Sequence, residues 1–316
     1  MMHFTLKHLR YLHTAGQAGS IAKAAQELRI SQSSIVAAID LIEQQLGFDV
    51  FLRVPSSGIK PTPAGRDVLG RIGRYLSDTR AFETELDAMS GDSGGVLRLA
   101  LHTASAKVIV HPVLQVFAQR HPDVRVEITD GDLTFLRNAL QNGDVDVVLP
   151  FRRADAFDLG FTPQLRTRPF AVLRADHPLA KNNTVSLAEL APLPLVLLDV
   201  PAARDRYPDL FTSRDLEPTI RHHVRSIDVA RSLVACGLGY SLMNIRDPHI
   251  REDELGIRNV AISDDIYAPV YGLAYAKDLR RSPTVERFIN IAQDLAEQGA
   301  YRQLVIHPEG QPLAPL

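Results

Sequence analysis

From the N-terminus, apolar positions recur at helical rather than strand spacing. Leu6, Leu9 and Leu12, with His13, predict a first helix. Ser20 reads as the N-cap of a second, over Ile21–Leu28, whose Ala22, Ala24 and Ala25 let another helix cross closely. Ser31 caps a third, over Gln32–Leu46, where Ile35, Ile39, Ile42 and Leu46 fall at spacings of 4, 3 and 4 along one face. Gly47 follows as the stop. The segment "FLRVPSSGIKPT", residues 51–62, then reads as a short strand, a Pro/Ser/Gly turn and a return, with Arg53 and Lys60 on its flanks. Two helices joined by a tight turn, the second with a polar N-terminus, followed by a β-wing, have the layout of a winged helix-turn-helix. The two helices alone fit an ordinary helical bundle equally well; the wing and the helix after it favour the nucleic-acid reading.

Residues 61–90 predict one long linker helix, ~45 Å if continuous. Gly65, Val68, Ile72, Tyr75, Thr79, Phe82, Leu86 and Met89 alternate at spacings of 3 and 4, a heptad seam with charges such as Arg71, Asp78, Arg80 and Glu83 between. Val68, Ile72, Tyr75, Phe82 and Leu86 are the candidate dimerisation contacts; the plainer alternative is a helix packed on its own domain. "GDSGG", residues 91–95, makes a glycine hinge.

From residue 96 the period changes. "GVLRLAL" predicts a strand, and strand and helix patterns then alternate to a last amphipathic helix in "SPTVERFINIAQDLAEQ". This order predicts an α/β region with a mainly parallel sheet. The expected organisation is a winged helix-turn-helix over residues 1–60, an α-helical linker over 61–90, a hinge at 91–95 and an α/β domain over 96–305. Its first lobe takes 96–165 and 272–305, its second 166–271, and a Pro-rich tail over 306–316 is expected to be disordered.

Composition narrows the function. The 316 residues are 45% hydrophobic, yet no apolar run approaches the ~18 residues a membrane span needs, and no membrane partner is expected. The single cysteine excludes a disulfide framework within the chain and fits a cytoplasmic location. Formal net charge is −2, but residues 1–76 carry nine Lys and Arg against five Asp and Glu, leaving +4 on the head and −6 on the rest. Even so, no Lys or Arg lies between Gln32 and Gln45. Cys236 sits in an apolar helical pattern and reads as a small core residue. His222 and His223 are adjacent on a strand and point to opposite faces, a poor metal pair. A phosphate-cradling Gly-rich loop ending in Lys-Ser/Thr is missing. No cofactor, metal site or catalytic residue is expected.

The order of Ala24-Ala25, Leu28, "SQSS", "LIEQQLG", "FLR" and "TPAG" resembles the DNA-binding domain of LysR-type transcriptional regulators. Three positions depart from that family's recognition helix: Ser33 replaces its Pro, Val36-Ala37 its Ser-Arg pair, and Asp40 a commonly basic residue. In the α/β region "RHPDVRVEI", "NGDVDVVL" and "ARSLVACGLGYSLM" resemble the family's regulatory domain, so the likeness spans about residues 1–300. It implies a periplasmic-binding-protein-like fold, two lobes joined by two crossing strands with a ligand cleft between. It further implies a dimer or tetramer on double-stranded promoter DNA, modulated by a small-molecule effector, with RNA polymerase as a further candidate partner.

Gln32, Ser33 and Ser34, with Ser31, are the expected base and phosphate contacts, and Lys7, Arg29, Arg53 and Lys60 the surrounding positive charge. Ligands of open α/β folds sit beyond the carboxyl ends of strands. Applied to the family's cleft, that rule points to His102 through Ser105, Thr129 through Gly131, Pro150 through Arg152, Asp199-Val200 and Arg225-Ser226. From these, Thr103, Ser105, Thr129, Phe151, Arg152, Asp199, Arg225 and Ser226 are the candidate effector contacts. For each single Ser or Thr, the helix cap is the more ordinary reading. Arg152, Arg153 and Arg225 make an anion a candidate effector. The alternatives are a solute-binding protein or a cleft enzyme, either with an N-terminal oligomerisation head.

Overall fold

The structure, a computed structural model, describes residues 4–54, 58–89, 95–103, 106–150, 159–277 and 281–308. Most of the glycine hinge, the end of the tail, Ser105, Phe151, Arg152 and Arg153 lie outside the described residues.

The head is built by its caps. Helix α1 (Leu6–Ala18) begins in a capping box between Thr5 and His8. Helix α2 (Ile21–Leu28) begins where Ser20 accepts a hydrogen bond from the Lys23 amide. Arg29 ends it in the left-handed region, φ +54°, and turns the chain into the next helix. In α3 (Gln32–Leu46), Ser31 Oγ accepts from the Ser34 amide at 3.2 Å, and Gly47 closes the helix at φ +77°. Strands β1 (Phe51–Val54) and β2 (Gly58–Pro61) form the antiparallel wing, with Arg53 opposite Ile59. Leu12, Ala15, Ala24, Ile35, Ile39, Ile42 and Val50 make the shared core.

Helix α4 (Pro63–Met89) is the predicted long helix, 27 residues with Thr62 Oγ1 accepting from the Gly65 amide at 2.8 Å. Its apolar seam is not one face. Ile72, expected to face a second copy, is buried with Leu69 and Leu76 in the head's own core, and Val68 is partly buried against it. Tyr75, Phe82 and Leu86 stay 56%, 54% and 47% exposed. An α-helix drifts about 20° per heptad against a 3.5-residue repeat, so an apolar stripe of this length can serve two neighbours in turn.

The body begins with β3 (Gly95–His102), α5 (Ala106–Arg120), β4 (Val124–Gly131), α6 (Leu133–Gln141), β5 (Val147–Leu149) and β6 (Leu159–Arg166). Then come β7 (Phe170–Arg174), β8 (Thr184–Val185), α7 (Leu187–Leu190), β9 (Pro194–Leu198), α8 (Pro201–Arg204), α9 (Arg206–Thr212) and β10 (Thr219–Val224). The last group is α10 (Ile227–Ala235), β11 (Ser241–Met243), α11 (Glu252–Leu255), β12 (Ile257–Ile262), β13 (Val270–Ala276) and α12 (Pro283–Glu297).

One lobe holds the sheet β4-β3-β5-β13-β6, parallel from β4 to β5 and antiparallel around β13. The other holds β11-β7-β12-β8 and the parallel pair β9-β10, bridged at Leu195 and Tyr240. Here the expected mainly parallel sheet is corrected. β7 carries the chain into this lobe and β12 carries it toward the exit, so they run antiparallel. The two crossing segments are clamped where the Thr167 amide and hydroxyl both donate to the Pro269 carbonyl, at 2.8 and 3.0 Å. Thr167 is fully buried, as a hinge point between lobes requires.

Candidate functional site

On the recognition helix α3, Ser33, Ala37, Asp40 and Gln44 form an exposed stripe at spacings of 4, 3 and 4, with exposed Gln32 at its N-terminal end. The cap is a small hydroxyl cluster, in which Ser31 Oγ lies 2.9 Å from Ser33 Oγ and 2.8 Å from Ser34 Oγ. The stripe carries no cation of its own. One is supplied across space: Arg53 Nη2 on the wing donates to Asp40 Oδ1 at 2.8 Å, and both side chains are more than half exposed.

Asp40 therefore has a partner, and the residue that looked misplaced on a DNA-reading helix holds the wing arginine beside it. Glu43 does related work underneath, accepting from the Val50 and Phe51 amides at 2.7 and 2.9 Å and fixing the wing to α3. Sequence reasoning gave neither acid this role; the available signal was an acid on each side of Ile42 with the wing a few residues on. Lys60 and Arg29 are exposed on β2 and the inter-helix turn, and Lys7 Nζ sits 5.5 Å from the centre of the Tyr11 ring.

In the body the carboxyl ends of β3 and β4 are joined where the Thr103 amide donates to the Gly131 carbonyl at 3.1 Å. Those of β9 and β10 are joined where the Asp199 amide donates to Val224 at 2.6 Å. Thr103 and Arg225 are exposed. Thr129 Oγ1 donates to the Leu99 carbonyl at 3.4 Å, and Ser226 accepts from the Val229 amide as the cap of α10, so both hydroxyls already have local partners. The Asp199 carboxylate accepts from Arg204 Nε and has His223 Nδ1 at 3.9 Å.

His102, the first residue of the predicted His102–Ser105 ligand stretch though not singled out as a contact, ends β3 and is 5% exposed. Burial pushes its pKa down to about 4; Asp132 opposes the shift and the charge of Arg206, on the other lobe, adds to it. A neutral imidazole at pH 7 thus lies within electrostatic reach of a cation on the other lobe. Cys236 is corrected: it is the exposed C-cap of α10, not a core residue, because the helix ends there at Gly237. The hinge residues Gly91-Asp92-Ser93-Gly94-Gly95 spell Gly-x-Ser-x-Gly, but a nucleophile elbow needs a strand before and a helix after. Here helix α4 precedes and strand β3 follows.

A winged helix-turn-helix with an exposed recognition helix, on a two-lobed α/β body, defines a DNA-binding regulator. Residues 6–66 match the family model described as bacterial regulatory helix-turn-helix protein, lysR family, and residues 90–297 that of the LysR substrate binding domain. The chain belongs to the LysR family of transcriptional regulators and is a regulator, not an enzyme. It is 28% identical over 241 residues to the HTH-type transcriptional regulator CysB of Haemophilus influenzae, covering 75% of each chain. It is 28% identical over 292 residues to the uncharacterized regulator YnfL of Escherichia coli, covering 91% of this chain and 97% of that one.

Among solved structures, full-length OxyR C199D from Pseudomonas aeruginosa aligns with a TM-score of 0.74 at 19% identity, over 92% of this chain and 98% of that one. The effector binding domain of QuiR in complex with shikimate aligns at 0.58 and 21% identity, over 65% of this chain and 99% of that one. Such regulators bind DNA and small-molecule effectors and oligomerise. Among the described residues no helix is long and apolar enough to cross a membrane.

Proposed function

We propose that the chain reads a promoter site in the cytoplasm as a dimer, assembled further into a tetramer, under control of a small anionic effector. Gln32 and Ser33 meet bases in the major groove, Ser31 and Ser34 hold the helix end, and Arg53, Lys60, Arg29 and Lys7 meet phosphates. The exposed face of α4, with Tyr75, Phe82 and Leu86, pairs the heads. The effector sits between Thr103, Thr129, Ser105, Phe151 and Arg152 on one lobe and Asp199, Arg225 and Ser226 on the other, and closing the lobes changes the angle between heads and hence the bend of the DNA. RNA polymerase contact follows from promoter occupancy.

The observation that carries this reading is the exposed stripe of α3 with Arg53 drawn alongside it by Asp40. An anion suits the cleft because Arg206 and the exposed Arg225 stand at its second lobe, and a relative of the same fold was solved with shikimate, a carboxylate. The test is binding of the purified protein to the intergenic DNA beside its own gene, titrated against salt and random competitor. Preferential, salt-steep binding that disappears when Gln32→Ala and Arg53→Gln are combined supports it. Equal binding to random DNA by a folded, oligomeric protein sinks the specific-operator reading.

A further inference from the structure

The back of the head is seated on the body at one place, the turn that ends α6. Two residues one helical turn apart on α1 reach the same oxygen. His13 Nε2 lies 2.9 Å from Asp144 Oδ1, and Gln17 Nε2 donates to it as well. The pair is sheltered, with His13 at 8% and Asp144 at 23% side-chain exposure. On the linker helix, Arg80 donates to the Gly143 carbonyl.

Between these polar ties the backbones touch. A Cβ on Gly73 would stand 1.5 Å from the Asn142 carbonyl oxygen, and one on Gly143 would stand 2.4 Å from the Gly73 carbonyl oxygen. Gly143 also sits at φ +69°, where a side chain is strained. Glycine is disfavoured inside a helix relative to alanine, and here the missing side chain makes room for another segment's backbone.

The other end of α6 lies at the joined carboxyl ends of β3 and β4, where the effector is proposed to sit. Its N-cap, Asp132, accepts from the Phe135 amide at 2.8 Å and directly follows Gly131, whose carbonyl is bonded to Thr103. The Asp132 charge also reaches His102. Leu136, Ala139 and Leu140 bury one side of α6 against Ala100, Val148 and Ala274, so the nine-residue helix is held as a rigid piece about 14 Å long.

We infer that α6 and its C-terminal turn form the lever between the effector cleft and the DNA-binding head: Asn142, Gly143 and Asp144 dock the head through His13, Gln17, Gly73 and Arg80, so a displacement at Asp132 moves the head. The inference rests on the proposed effector position for its cleft end, but its test involves no DNA and no effector, so the two fail separately.

The test places spin labels at Gln26→Cys on the head and Asp123→Cys on the body, in a Cys236→Ser background, diluted with unlabelled full-length protein. The docked chain gives one narrow intramolecular distance. Asp144→Leu, which removes the shared acceptor, and Gly73→Val, which has no room for its side chain, broaden it. Asp144→Asn keeps an acceptor oxygen and keeps the narrow distance, which a general loss of packing would not do. At the far end, Asp132→Ala speeds amide exchange in α1 about fivefold, the share of a lost cap transmitted along α6. A narrow, unshifted distance in folded Asp144→Leu and Gly73→Val overturns the docking. Unchanged α1 exchange in Asp132→Ala overturns the lever.

Discussion

The proposed DNA face and the proposed effector site handle charge in opposite ways. On the DNA face Asp40 and Arg53 meet in solvent, at 57% and 63% exposure. At the proposed effector site His102 is withdrawn from water and held neutral. Exposed pairs cost little to form or break, so the DNA face can trade a carboxylate for a phosphate. A desolvated group makes each new charge expensive or valuable, so the cleft can discriminate ligands by charge. A regulator needs both, a reversible electrostatic surface for DNA and a selective interior for its signal.

Acid separates the two regions most strongly. His102 has a folded pKa of about 4 against an ordinary value of 6.5. As pH falls from 6.5 to 4 the unfolded chain takes up a proton that the folded chain refuses. Stability is therefore full above pH 6.5 and is lost by about 3 kcal/mol toward pH 4. Urea unfolding across that window shows the loss in the wild type and a flatter curve in His102→Asn. An anion seated against His102 reverses the preference, so its affinity rises as pH falls. Affinity for a found effector that is unchanged between pH 7 and 5 places that effector away from His102.

Next in size is the support of the DNA face. Glu43→Ala leaves two amides of the wing without their acceptor, and the head loses about 2–3 kcal/mol in thermal or urea unfolding. Glu43→Gln retains an acceptor oxygen and loses less.

At the inter-lobe clamp, Thr167→Val removes the hydroxyl bond to Pro269 but leaves the amide bond. A loss of about 1 kcal/mol is expected, seen as a lowered unfolding midpoint.

The smallest structural effect falls on the solvated pair. Asp40→Ala changes stability by less than about 1 kcal/mol, yet frees Arg53 and removes a negative charge from the proposed DNA face. Anisotropy titrations should show tighter binding to operator and random DNA alike, with a steeper salt dependence. Unchanged affinity means that Arg53 does not meet phosphate.

The head was legible because its signals are local. Ser20, Ser31, Gly47 and the spacing of Ile35, Ile39 and Ile42 each act within one helix, and each appears where its spacing predicts. The linker helix was legible as a helix but not in its partners. An apolar stripe records that something covers it, not whether that is the head's own core, as for Ile72, or something else, as for Tyr75. Cys236 shows the same limit at a helix end, where an apolar pattern stops one residue short of the surface. The contact of His13 with Asp144 spans 131 residues and leaves no periodic trace. Its one visible clue was Gly70 and Gly73 inside a long helix, where glycine is disfavoured unless something must come close.

The Asp40–Arg53 pair also bears on how the protein distributes itself over a genome. Every stretch of duplex offers phosphates, and a permanently bare arginine binds all of them. An arginine already satisfied by a neighbouring carboxylate gains less from any one of these sites. On the proposed reading, it gives up that partner most readily where the bases under Gln32 and Ser33 also fit. The acid on the recognition helix thus reduces the number of molecules stranded on irrelevant DNA, and a modest affinity at the true site becomes a favourable ratio of right to wrong occupancy.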